Sequence, residues 1–131
     1  MNIQLAITEG AKILKDKCVK NPFLDSELLM SKVVKKDKKY LLLNHDQEVK
    51  IEDLKYFKKL IEKRANGQPI AYLINKKFFW KSEFYVTNGT LIPRPDTEVL
   101  VEQVLKLYKY KDRVNILEIG IGSGCILLSI L

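Results

Sequence analysis

Residues Ile116-Leu117-Glu118-Ile119-Gly120-Ile121-Gly122-Ser123-Gly124 constrain this chain more than any other stretch. An apolar, β-branched run leads into three glycines at alternate positions, and Cys125 to Leu131 then reads as the start of a helix. The pattern predicts a strand over 114–119, a glycine loop and a helix. Glycine belongs where the backbone must turn tightly and let a ligand lie against it. A loop that follows a parallel strand sits at the carboxyl end of the sheet, where open α/β sheets bind ligands. The expected fold class is therefore α/β.

Two ligand classes suit such a loop. Dinucleotide sites favour G-x-G-x-x-G and set a pyrophosphate at the helix N-terminus. Here the spacing is G-x-G-x-G, and Cys125 stands where the last glycine would be. Glu118 precedes the loop and suits a cationic ligand. S-adenosylmethionine (AdoMet) carries an ammonium and a sulfonium and no phosphate, so it is the favoured ligand. A dinucleotide, or a glycine turn with no ligand, stays open at this point. Alone, the loop indicates only a class I methyltransferase.

The rest of the chain divides into helical and non-helical parts. Ile3, Ala6, Ile7, Ala11, Ile13 and Leu14 predict an amphipathic helix over 2–17. Asn21-Pro22 starts a second, with Leu24, Leu28, Leu29, Val33 and Val34 as its apolar face. Tyr40 to Leu43 reads as a helical turn. Residues 51–66 form the clearest helix, with Ile51, Leu54, Phe57, Leu60, Ile61 and Ala65 on one face, then Gly67 and Pro69 as its stop. Phe78-Phe79-Trp80 and Phe84-Tyr85-Val86 then predict a β-hairpin, and Asn88-Gly89 predicts a turn. In Leu91-Ile92-Pro93-Arg94-Pro95-Asp96-Thr97-Glu98, two prolines two apart exclude a regular helix. Asp96 or Thr97 is the expected N-cap of a helix reaching Tyr108.

Composition narrows the class. The 131 residues are 47% hydrophobic and 30% charged, which suits a globular chain rather than a disordered one. The net charge of +7 is nearly all lysine, 20 against 3 arginines. Such a surface is compatible with a nucleic-acid or ribosomal partner, but a solvated lysine-rich surface is the favoured reading, because arginine, the usual bidentate phosphate or base contact, is scarce. Residues 50–81 concentrate it, with nine basic and three acidic side chains. Cys18 and Cys125 lack metal-ligand spacing and suit reduced thiols in the cytoplasm. No signal peptide or membrane span is expected. His45 reads as a solvated loop residue, and Trp80 with the hairpin aromatics as core. Ser123 does not fit a nucleophile elbow, which needs G-x-S-x-G.

Several segments together resemble one family. Arg64-Ala65-Asn66-Gly67-Gln68-Pro69-Ile70-Ala71-Tyr72-Leu73 is similar to the segment that closes the helical domain of HemK-type release factor glutamine methyltransferases. Phe79-Trp80, Phe84-Tyr85-Val86-Thr87 and Leu91 through Glu98 resemble that family's hairpin and its Pro-Arg-Pro box. Leu117 through Gly124 fits its cofactor loop. The order and spacing agree over about residues 64 to 131, and the Pro-Arg-Pro box is the most specific piece.

The resemblance implies transfer of a methyl group from AdoMet to the side-chain amide of a glutamine in the Gly-Gly-Gln motif of peptide chain release factors. It implies a helical release-factor-gripping domain over 1–74, a hairpin linker over 75–92, and the start of a Rossmann-like AdoMet domain over 93–131. It also implies cofactor contacts from Glu118, Gly120, Ile121, Gly122, Ser123, Gly124, Arg94 and Thr97. The implied partner is a release factor. RNA contact is expected only through a ribosome-bound factor, and the chain is expected to be a cytoplasmic monomer.

Two departures qualify this picture. Asn75 stands where the family often has glycine; asparagine tolerates the left-handed conformation, so the turn is expected to survive. The family's catalytic Asn-Pro-Pro-Tyr is absent, and the only Asn-Pro is Asn21-Pro22. No residue here is assigned a catalytic role, and the 131 residues are expected to be inactive alone. The strand over 114–119 would lack its sheet neighbours, and the chain from about 110 onward is expected to be poorly supported. A non-catalytic release-factor or ribosome-binding module remains an alternative, as does part of an adenine amino-methyltransferase.

Overall fold

The computed structural model describes residues 1–131. They form two compact units, Met1–Ile74 and Asn75–Leu131.

The first unit is all helical: α1 (Ile3–Asp16), α2 (Pro22–Val34), α3 (Lys38–Leu43), α4 (Ile51–Ala65) and α5 (Ile70–Ile74). Local chemistry sets most boundaries. The Asn2 side chain caps α1 by accepting the Leu5 N–H at 2.8 Å, and Asp37 caps α3 through the Tyr40 N–H at 2.8 Å. Pro22 occupies the first turn of α2, where a missing N–H costs nothing. Helix α4 carries Glu52 and Asp53 in its first turn and Lys63 and Arg64 in its last, matching the helix dipole. It ends in a Schellman turn. Gly67, at φ +93°, donates to the Arg64 carbonyl, and Gln68 donates to the Lys63 carbonyl.

Ile3, Ile7, Leu14, Leu29, Met30, Phe57, Leu60 and Ile61 build the core of this unit. Gly10 lies mid-helix in α1, where glycine costs about 1 kcal/mol relative to alanine. A Cβ there would stand 2.6 Å from Ser26 Oγ and 2.9 Å from both Ile61 Cδ1 and Phe57 Cζ. The glycine therefore sets how closely α1 approaches α2 and α4. The Ser26 hydroxyl fills the same space and donates to the Ile7 carbonyl at 2.8 Å.

The buried face of α2 differs from the expected one. Leu24 is exposed, while Asp25, Ser26 and Glu27 are buried beside Leu29, Met30 and Val33. Each buried polar group has a partner, which removes the penalty that would otherwise turn it outward. Asp25 pairs with Arg64, Glu27 with Lys38 at 2.9 Å, and Ser26 with a carbonyl. Ile13 and Ile51, also expected inside, are exposed.

The second unit begins with a hairpin of β1 (Lys76–Phe79) and β2 (Ser82–Tyr85), antiparallel with Phe79 opposite Ser82. Asn75 adopts φ +59°, and its side chain donates to the Val86 carbonyl at 3.2 Å. Asparagine thus supports the left-handed turn. The connection is Trp80-Lys81, with Trp80 at φ +56°. Phe79 and Phe84 meet edge-to-face at 6.2 Å and cluster with Val101 and Cys125. A 3-10 turn over Pro95–Thr97 leads into α6 (Glu98–Tyr108), and α7 (Cys125–Ile130) follows the glycine loop. Thr97 occupies the N-cap of α6 but makes no side-chain cap bond. The 3-10 turn supplies the start instead, through the Thr97 N–H donating to the Arg94 carbonyl at 3.1 Å.

Residues 114–119 are not a strand. The only sheet is the two-stranded hairpin. A strand needs an adjacent backbone to complete its hydrogen bonds, and none lies alongside this segment.

Candidate functional site

The glycine loop is built by three left-handed residues. Gly120, Gly122 and Gly124 sit at φ +78°, +58° and +77°, a region costly for any residue with a Cβ. The Gly124 N–H donates to the Ile121 carbonyl at 2.9 Å, closing the turn. The Leu128 N–H then donates to the Gly124 carbonyl at 2.9 Å and begins α7. A Cβ at Gly120 would meet nothing within 4 Å, so one side of the loop is open.

Glu118 reaches across the loop. Its Oε2 accepts the Leu127 N–H at 3.1 Å, tying the residue before the glycines to the first turn of α7. The carboxylate is half-buried, and residues 118–127 contain no lysine or arginine. One carboxylate, bare backbone and no basic side chain suit a cationic ligand without phosphate. Ser123 is half-buried in the loop, and Ile121 is exposed. Cys125 is buried against the hairpin aromatics, which gives it a packing role.

The Pro-Arg-Pro box lies ahead of α6. Pro93 is buried, Arg94 is exposed and Thr97 is half-buried. Neither the Arg94 nor the Thr97 side chain hydrogen-bonds to the loop. Glu98 does the anchoring here, accepting the Trp80 N–H on Oε1 at 2.8 Å. That link between the hairpin turn and α6 was hidden in the sequence, because the two residues are 18 apart. Trp80 is half-buried, whereas Phe78 and Tyr85 are exposed. His45 is exposed, with Nδ1 3.2 Å from the Leu42 carbonyl.

Arg64, in the segment that carries the family resemblance, donates from Nε to Asp25 Oδ2 at 2.7 Å and from Nη1 to the Gln68 carbonyl at 3.1 Å. It joins α2, α4 and the α4–α5 turn. Between α1 and α4 lies a groove of about 200 Å³, floored by Ala6, Gly10, Phe57 and Ile61, with Glu9, Lys58 and Glu62 among its walls. No helix is long and apolar enough to cross a membrane.

Comparison with known proteins finds a matching family and similar chains. The model of the PrmC N-terminal domain matches residues 6–74. A protein of Buchnera aphidicola subsp. Baizongia pistaciae named "Release factor glutamine methyltransferase" is 39% identical over 120 residues, covering 92% of this chain and 43% of that protein. A Clostridium botulinum protein of the same name is 39% identical over 124 residues, covering 95% of this chain and 44% of its own length. A Rickettsia bellii "Bifunctional methyltransferase" is 33% identical over 156 residues, covering 99% of this chain and 28% of that protein. The chain spans less than half the length of these relatives. The matched helical domain and the relatives together show that the chain belongs to the PrmC-type release factor glutamine methyltransferase family and corresponds to the N-terminal portion of its members.

Proposed function

We propose that this chain is the release-factor-gripping and cofactor-loop portion of an AdoMet-dependent protein-glutamine methyltransferase, acting in the cytoplasm on the Gly-Gly-Gln motif of peptide chain release factors. The observation that carries the reading is identity of 39% to release factor glutamine methyltransferases across 92% to 95% of the chain. The open, left-handed glycine loop supports it locally.

In this reading residues 93–131 begin a Rossmann-like domain. Gly120, Ile121, Gly122, Ser123 and Gly124 would line AdoMet, Glu118 would face its cationic end, and Arg94 and Thr97 would lie at the pocket margin. AdoMet would supply the methyl group. The chain's own part is to hold and orient it, since positioning dominates such a transfer. The helical unit would bind the release factor, and the 131 residues alone would be monomeric and without turnover.

A non-catalytic release-factor-binding role draws on one specific observation, that the helical unit closes its own core. Two titrations of the 131-residue chain test both readings. Calorimetry with AdoMet and with a purified release factor should each show saturable binding. Release-factor binding without AdoMet binding favours the binding module, and absence of both sinks the proposal.

A further inference from the structure

The turn of the hairpin is built on an unfavourable residue. Phe79 pairs with Ser82, so Trp80 and Lys81 make a two-residue connection. Of the two, only Trp80 has a positive φ, +56°. A two-residue turn that is left-handed at its first corner normally places glycine there, because a Cβ disfavours that region. The Trp80 N–H also lies beyond the end of the β-ladder, and a half-buried N–H needs an acceptor. Glu98 supplies it, with Oε1 at 2.8 Å. Glu98 is itself half-buried, and its carboxylate has no other partner.

The same turn adjoins an apolar cluster. Val101 stands three residues after Glu98, and so on the same face of α6. It is fully buried, and it clusters with Phe79, Phe84 and Cys125. Trp80 and Ile126 pack against these four. Cys125 directly follows Gly124, which is buried as well. Gly124, at φ +77° and donating to the Ile121 carbonyl, closes the glycine loop. The hairpin turn, the first turn of α6 and the end of the loop therefore meet in one packed cluster. Glu98 is the polar tie between the first two.

We propose that Glu98 is a positioning residue for the glycine loop. Its carboxylate holds the Trp80 turn in the left-handed form. The turn seats Phe79 and Trp80 around Cys125, and Cys125 fixes where Gly124 ends the loop. Glu98 acts through these residues as a hydrogen-bond acceptor, without touching the ligand. Its effect on AdoMet binding rests on the cofactor reading above.

The test uses the full 131-residue chain and two readouts: AdoMet affinity by calorimetry, and hydrogen exchange at the Trp80 and Gly124 amides. Glu98→Gln keeps an acceptor and removes the charge from the start of α6, whereas Glu98→Ala removes both. Glu98→Ala should weaken AdoMet binding by about tenfold. It should also speed exchange at both amides by about tenfold, while Leu29 and Ile61 of the helical unit exchange as before. Glu98→Gln should restore both readouts to within about twofold of the parent. Equal weakening of AdoMet binding by Glu98→Gln and Glu98→Ala overturns the proposal, because it assigns Glu98 a charge role at the ligand. Faster exchange at Trp80 without faster exchange at Gly124 also overturns it, because the turn is then not coupled to the loop. Glu98→Asp, which withdraws the carboxylate by one methylene, applies the same exchange criterion if Glu98→Ala unfolds the hairpin. Faster Gly124 exchange in a chain whose parent binds no AdoMet leaves the positioning role standing and counts against the cofactor reading.

Discussion

Arg64 Nε lies 2.7 Å from Asp25 Oδ2, and both side chains are largely buried. The pair spans 39 residues of sequence and fastens α4 to α2. Removing one partner of such a pair leaves an uncompensated buried charge, which costs about 3–5 kcal/mol. Arg64→Met should therefore destabilise the helical unit by roughly that amount in guanidinium unfolding. Adding Asp25→Leu to Arg64→Met should restore much of the loss. A change under about 1 kcal/mol for Arg64→Met alone would show that the pair is not structural.

Gly10→Ala should destabilise, against its helix propensity. Alanine normally gains about 1 kcal/mol over glycine in a helix. Here the new methyl meets Ser26 Oγ at 2.6 Å, and overpacking costs about 1–3 kcal/mol. Thermal unfolding of Gly10→Ala, Ser26→Ala and the double variant measures it. The double variant should be less destabilised than the sum of the singles, because residues in contact do not add. Strict additivity contradicts the close approach.

Glu118 has two separable roles. As an acceptor for the Leu127 N–H, it supports the start of α7; losing a cap costs about 0.5–2 kcal/mol. As a charge, it would face the cationic end of AdoMet. Glu118→Gln keeps an acceptor and removes the charge. Hydrogen exchange at Leu127 should change little in Glu118→Gln and rise clearly in Glu118→Ala. AdoMet affinity should fall about tenfold in both, equivalent to about 1.4 kcal/mol. Unchanged affinity in Glu118→Gln removes the charge role.

Gly122→Ala tests the loop itself. The position lies at φ +58° with nearby space open, so the penalty is conformational, about 1–2 kcal/mol. The loop should remodel, and AdoMet binding by calorimetry should weaken by about tenfold or more. Global stability should be little affected, because the loop packs few side chains. An unchanged affinity would show that the left-handed turn is not needed for the ligand.

Much of this protein was legible from local pattern. Helix spacing placed α1, α2 and α4, and the Gly67-Gln68-Pro69 sequence marked the end of α4. Asn75 tolerated the left-handed turn as its side chain allows, and the alternate glycines foretold the backbone of 120–124. These features depend on residues within a turn or two of one another, so the sequence by itself determined them. Tertiary structure decided the rest. Asp25, Ser26 and Glu27 became buried in place of Leu24 because partners from distant elements satisfied them. Gly10 became a packing device only when α2 and α4 closed on it. Thr97 lost its expected cap to a 3-10 turn. Val114 to Ile119 did not become a strand, because a strand is completed by neighbouring backbone, and composition supplies only the residues that would suit one.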